Sequence, residues 1–196
     1  LCTASVFGQT LLYSHNFDGI SINSWVNSDG GTGNNIWATN NSYEGNASAS
    51  IINVPDQPAS FTDAPQSYYM HITNMPNCSG FVFVSCNAHY EPNEASNNAI
   101  EMLNGISTSG LTDVAFKFWY LSQGDGANAN GSVEYSIDGG TTWETTGVLL
   151  ANNPDWTQLS IEMNAFDNQA DLRFRFRKAC AYRSGRGIAE RTVAGC

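Results

Sequence analysis

Residues 132–143 read Ser-Val-Glu-Tyr-Ser-Ile-Asp-Gly-Gly-Thr-Thr-Trp, and no other stretch limits the fold as much. Val133, Tyr135 and Ile137 alternate with Ser132, Glu134 and Ser136, the period-two signature of a half-buried strand. Asp138-Gly139-Gly140 follows, and two glycines supply the positive φ angles of a tight hairpin. Trp143 then opens the return strand with a large apolar anchor. The stretch is therefore a β-hairpin, with Ser136, Asp138, Gly140 and Trp143 as its structural residues.

The rest of the chain repeats that logic in short pieces. Strands are expected at Leu11–Phe17, Ile51–Val54, Tyr68–Ile72 and Phe81–Cys86, the last apolar enough to be buried on both faces. Val114–Leu121 sets Val114, Phe116, Phe118 and Tyr120 against Ala115, Lys117, Trp119 and Leu121, so it packs on both sides. Thr157–Met163 turns Leu159, Ile161 and Met163 inward. Asp171–Arg177 turns Leu172, Phe174 and Phe176 inward and three arginines outward. Residues 87–104 read as a long loop with one helical turn. Short strands with Gly, Asn and Pro turns and no amphipathic helix predict an all-β, two-sheet antiparallel sandwich in one domain. No apolar run is long enough for a transmembrane helix.

Charge is distributed unevenly. The net value is -10, but residues 1–172 hold 17 acids and one base, Lys117, whereas residues 173–196 hold seven bases and one acid. An acidic body disfavours nucleic acid and anionic membranes, because phosphate binding needs clustered Lys and Arg. Both ends look irregular. Small residues at Val6 and Gly8 fit the last part of a secretory signal peptide, cut near Gly8 or Gln9, so residues 1–9 are expected to be its remnant. An ordinary first strand is the competing reading. Residues 10–178 are then the domain. After Lys178 the alternation vanishes and Arg becomes abundant, which predicts an atypical basic tail over 179–196. A frameshift or read-through is the expected origin, and with it the domain lacks a final core strand.

Catalytic patterns are scarce. His15, His71 and His89 are scattered, with no His-Glu-x-x-His or Cys-x-x-Cys spacing to build a zinc site. No Gly-x-Ser-x-Gly elbow or phosphate-cradling loop is present. Carboxylate pairs could be drawn from Glu91, Glu94, Glu101, Glu134 and Glu144, but chance pairs are the default on an acidic surface. The expectation is a protein without enzymatic activity. Cys78 and Cys86 flank the apolar strand 81–84. In an oxidising compartment a bridge between them closes a short loop and adds about 2–3 kcal/mol; two buried thiols are the alternative. Asp18 and the acidic, Gly-rich loop 125–131 are rich in oxygen ligands of the kind calcium takes, but the loop lacks the spacing and terminal Glu of an EF-hand and is read as a solvated hairpin turn.

A set of motifs recurs here in a familiar order. It runs through Leu11-Tyr13, Asn16-Phe17-Asp18-Gly19, Tyr69-Met70-His71-Ile72, Ser85-Cys86-Asn87-Ala88, Gly110-Leu111-Thr112-Asp113-Val114 and Phe118-Trp119-Tyr120-Leu121. It ends with Val133-Glu134-Tyr135-Ser136, Asp138-Gly139-Gly140 and Leu172-Arg173-Phe174-Arg175-Phe176. Over residues 10–177 the chain resembles the MAM-like jelly-roll modules of secreted Bacteroidetes proteins, often exported by the type IX system. That resemblance implies an extracellular antiparallel jelly-roll β-sandwich of about 8–10 strands, placed beside enzymatic or adhesive domains. It also implies a structural calcium, for which Asp18 matches the first ligand position. Gly187-Ile188-Ala189-Glu190 departs from the family's paired aspartates in the last strand.

The hairpin also matches the Asp-box of sialidase-like propellers, Ser136-x-Asp138-x-Gly140-x-Thr142-Trp143. One copy, in a chain with no Arg before position 173 to grip a substrate carboxylate, makes this the remote alternative. The leading expectation is a non-catalytic binding or adhesion module for a carbohydrate or protein ligand, secreted or at the cell surface. A structural spacer that assists a neighbouring hydrolase or peptidase domain is the other. Exposed aromatics along a sheet or loop rim would mark the binding module, and Trp25, Trp37 and Trp156 are the candidates. Core packing competes for each.

Overall fold

The computed structural model describes residues 9–17, 25–28, 31–47, 51–61, 63–74, 86–91, 94–124, 129–180 and 192–195, with the backbone alone at Ala129, Cys180 and 192–195. Among the described residues ten strands form two five-stranded antiparallel sheets. They are β1 (Trp25–Asn27), β2 (Asn35–Asn40), β3 (Tyr69–Asn74), β4 (Ser96–Met102), β5 (Ala115–Ser122), β6 (Ala129–Ser136), β7 (Glu144–Leu150), β8 (Asn153–Glu162), β9 (Arg173–Cys180) and β10 (Thr192–Gly195). The first sheet runs β1-β4-β9-β6-β7 and the second β2-β3-β10-β5-β8. From β3 onward every connection passes from one sheet to the other, except the β6–β7 hairpin. With the sheet orders β4-β9-β6-β7 and β3-β10-β5-β8, that is the topology of an eight-stranded jelly roll; β1 and β2 each add one edge strand.

The core lies between the sheets and is aromatic at its centre. Phe116 of β5 stacks on Phe174 of β9 with ring centroids 4.0 Å apart, and Phe118 meets Phe176 edge-on at 5.0 Å. These residues come from the two strands whose alternation is plainest in the sequence, and each such pair adds roughly 0.5–1.5 kcal/mol beyond its burial. Val133 and Tyr135 face the same core, as expected, whereas Ile137 is exposed at the hairpin.

Several expectations are corrected. Leu11–Phe17 is not a strand: Leu11 and Leu12 are exposed and Phe17 alone is buried. Of Ile51–Val54 only Ile51 pairs, in an isolated bridge with Asn46. Residues 96–102, read as loop, are β4, paired with both β1 and β9. Its Ala99, Ile100 and Met102 are buried, but Asn97, Asn98 and Glu101 interrupt the apolar pattern. β9 continues to Cys180, and 192–195 forms β10, seated between β3 and β5. The sheet therefore has its closing strand within the segment expected to be a tail. The expected strand Phe81–Cys86 lies outside the described residues except for Cys86.

Candidate functional site

The hairpin that anchors the sequence reading is self-contained. Ser136 Oγ donates to Asp138 Oδ1 at 2.7 Å and accepts from the Gly140 amide at 2.8 Å. Asp138 also accepts from the Thr142 amide and hydroxyl at 2.9 and 2.6 Å. The Thr142 hydroxyl and amide and the Ser136 hydroxyl pull the Asp138 carboxyl down to about 2. Gly139 and Gly140 sit at φ 72° and 89°, where a side chain is strained. Trp143 Nε1 donates to the Gly140 carbonyl at 3.1 Å. Ser136, Asp138, Gly140 and Trp143 are thus brought together as a turn, and Asp138 is occupied by the turn itself.

Of the three expected binding aromatics, two belong to the core. Trp25 and Trp37 both pack on Phe176, at 5.5 and 6.3 Å, and both are buried. Their indole N–H groups are taken by Tyr13 Oη and the Asn98 carbonyl. As rim residues they are corrected: β1 and β2 turn them inward. Trp156 is also largely buried, but on the outer surface of the second sheet.

There a second aromatic cluster forms. Tyr69 of β3, Leu121 of β5 and Trp156 of β8 lie beneath Tyr43, Val54 and Phe61 of the β2–β3 connection. Trp156 Nε1 ties this connection down through the Pro55 carbonyl at 3.0 Å. His71 is buried on the same face, with Nε2 3.1 Å from Asn40 Oδ1 and its ring 4.6 Å from Tyr69. Burial lowers its pKa to about 4, so it is a neutral packing group. The cover ends at Phe61, whose ring meets Trp119 edge-on at 5.2 Å and Trp156 at 5.7 Å.

Beyond that edge the face is open. Trp119 and Phe61 are half-buried. Trp119 pairs across the strands with Gln158, and Lys117 with Ser160; residues paired across strands share a face. Lys117, Gln158 and Ser160 are exposed, and the Lys117 ammonium donates to Gln9 Oε1 at 3.1 Å. Phe61 also lines a pocket of about 260 Å³ together with Gln57, Ala59, Asp63, Ala64 and Pro65. The result is a half-exposed aromatic shelf flanked by amide, hydroxyl, ammonium and carboxylate groups. An aromatic surface beside fixed polar groups suits a ligand with one apolar face and a polar rim. The sequence contained one clue to it, the same-face spacing of Lys117 and Trp119. Phe61, from a loop, had none.

Asp18 and Cys78, and the loop residues 125–128, lie outside the described residues. Cys86 is disulfide-bonded. Among the described residues no group of three His, Cys, Asp or Glu side chains converges to hold a metal ion, and no helix is long and apolar enough to cross a membrane.

Neither family models nor curated proteins match the sequence. Among solved structures, the chain is similar to TmCBM61 in complex with β-1,4-galactotriose, at 11% identity and TM-score 0.45, with 93% of this chain and 95% of that one covered. It is similar to the CBM22-1 xylan-binding domain of Paenibacillus barcinonensis Xyn10C at 12% identity and TM-score 0.40, over 94% and 92%. The enzymatically active domain of bacteriophage CBA120 tailspike protein 4 matches at 14% identity and TM-score 0.38, over 92% of this chain and 20% of that one. At such scores a likeness does not carry function.

Proposed function

We propose that the chain is a non-catalytic carbohydrate-binding module of a larger secreted or cell-surface protein, of the MAM-like jelly-roll kind that its motifs resemble. The observation that carries this reading is the Trp119–Phe61 shelf on the second sheet, bordered by Lys117, Gln158 and Ser160. A pyranose has an apolar C–H face and a ring of hydroxyls, and it meets such a surface by lying on the aromatic ring while its edge bonds to the flanking groups. Support for a binding role without chemistry comes from the acids of the other sheet face and its hairpin. Glu134 is held by two arginines, Asp171 by Arg173, and Asp138 by its own turn. The structural calcium through Asp18 and the Cys78–Cys86 pairing belong to the same proposal.

The test is affinity electrophoresis of the domain through gels containing galactan, xylan, mannan or β-glucan, comparing the natural chain with Trp119→Ala. Retardation by at least one polysaccharide, weakened about tenfold or more in the variant, is expected, because removing a central aromatic anchor typically costs upward of ~1.4 kcal/mol. Retardation that Trp119→Ala leaves intact would move the site elsewhere. No retardation in any gel would sink the reading in favour of a structural spacer.

A further inference from the structure

Apart from Lys117, every base whose side chain is described lies on β9: Arg173, Arg175, Arg177 and Lys178. Lys178 turns inward over the Tyr90 ring. The three arginines face out from the middle of the first sheet and differ in how fully they are engaged. Each nitrogen of Arg173 donates, Nε and Nη2 to Asp171 and Nη1 to the Leu103 carbonyl. Arg177 donates through Nε to Glu134 at 2.9 Å and through Nη1 to Asn97 at 2.8 Å. Arg175 gives only Nε, to the other Glu134 oxygen, while its guanidinium lies over Trp143 with its carbon 4.4 Å from the ring centroid.

Both terminal amino groups of Arg175, and Nη2 of Arg177, therefore donate to none of the described residues. Yet the Arg175 side chain is only 14% exposed, and desolvation lowers its pKa against the pull of Glu134. A half-buried guanidinium that is oriented by a carboxylate and an indole and has an open fork is a prepared donor set. Its matching acceptor is a planar carboxylate, taken bidentately. Across the strands Arg175 stands between Glu134 of β6 and Glu101 of β4, the latter accepting from Ser28; farther out on the same surface Ser132 beside Arg177, Thr145 beside Glu134 and Asn97 add hydroxyl and amide groups. β9 is paired on both sides, so an extended peptide has no backbone edge to join here. A sugar ring carrying a carboxylate fits a flat, polar surface of this kind.

We propose that the Arg175–Arg177–Trp143 surface of the first sheet is a second binding site, specific for the carboxylate of a uronic-acid sugar. It extends the glycan-binding reading to another face and does not depend on Trp119.

The experiment is calorimetric titration of the whole chain at about 150 mM salt, where the Debye length of ~8 Å screens the acidic body. Three probes are used: trigalacturonic acid, the same oligomer with its carboxylates reduced to alcohols, and triglutamate. Trigalacturonic acid is expected to bind, with the reduced oligomer at least tenfold weaker. Arg175→Lys, which keeps the charge but loses the fork, should weaken binding about tenfold while the melting temperature stays within a few degrees. Arg177→Lys serves as the second variant. Equal binding of the reduced oligomer, no change in either variant, or equally tight binding of triglutamate each overturns the proposal. Retention in Trp119→Ala places the ligand on the arginine face; loss in that variant places it on the aromatic shelf and also overturns it. Failure of neutral polysaccharides in gels leaves this result standing, so the two readings fail separately.

Discussion

The outer faces of the two sheets solve the same problem in opposite ways. A sandwich buries one side of each sheet and must make the other compatible with water. The first sheet does so with charge: Arg175 and Arg177 share Glu134, and Ser28 donates to Glu101 at 2.5 Å. The second sheet does so with cover. Tyr43, Val54 and Phe61 lie over Tyr69, Leu121 and Trp156 and leave Trp119 at the margin. The lesson is where each face can bind. On a charged ladder, specificity comes from donors left open within the network. On a covered aromatic face, it comes from the edge where the cover stops.

The largest effect is expected beneath the cover. Trp156→Ala removes a nearly buried indole that contacts Phe61 and Tyr69 and holds the Pro55 carbonyl. Loss of such a side chain costs about 3–5 kcal/mol, readable as a fall in the urea midpoint with an unchanged slope. A cost below ~1 kcal/mol would mean the connection does not pack as described, and the contrast between the faces would collapse.

His71 sharpens the contrast through pH. Its folded pKa, about 4, lies below the ordinary 6.5 because burial disfavours the charged form. The unfolded chain therefore takes up a proton between roughly pH 6.5 and 4 while the folded chain does not, and stability falls across that window as pH drops. The full shift corresponds to roughly 3 kcal/mol at about 1.4 kcal/mol per unit. Urea denaturation at pH 7 and pH 4.5 should show the loss, and His71→Gln should remove most of it. An equal pH dependence in the variant would assign the loss to other groups.

On the charged face the expected cost is smaller. Glu134→Gln keeps the shape but removes the charge shared by Arg175 and Arg177, leaving two partly desolvated guanidiniums side by side. Side-chain exposures of 14–26% put this pair between surface and buried cases, so ~1–2 kcal/mol is expected. The loss should shrink in high salt if the ladder acts through charge. A loss as large as that of Trp156→Ala would show that the two faces do not differ in kind.

How much of this was readable from the chain depended on how locally each feature is encoded. The alternation of Val133 and Tyr135 in β6, of Leu159 and Ile161 in β8 and of Phe174 and Phe176 in β9 is legible because one face of each strand lies in the inter-sheet core; β5 packs on both sides, as its sequence implies, and Ile137 just past β6 is exposed. β4 escaped because its outward Asn97 and Glu101 and inward Asn98 break the apolar pattern, and Asn98 is explained only by its bonds to the Thr32 and Asn35 carbonyls. β10 escaped because four residues between two neighbours take their strand character from those neighbours. The sequence leaves the direction of Trp25 and Trp37 open, because a lone Trp in a polar stretch suits a surface as well as a core. The shelf depends on Phe61 reaching Trp119 across 58 positions, which no local pattern contains.

The hairpin gives the smallest effect and the cleanest comparison, because it belongs to neither face. Asp138 is fully exposed, yet its carboxyl lies at about 2 through bonds from Thr142 and Ser136. A depressed carboxyl stabilises the fold above the unfolded value of 3.8 and loses that contribution as pH falls toward 2. Asp138→Asn should therefore lower the melting temperature slightly at pH 7 and by much less near pH 2, whereas His71→Gln acts in the window above pH 4. Two-dimensional NMR of the Thr142 amide, followed from pH 5 to pH 2, should shift with an apparent pKa near 2. A midpoint close to 3.8 would show that the bonds seen in the turn do not hold the carboxylate, and that Gly139 and Gly140 form the hairpin without it.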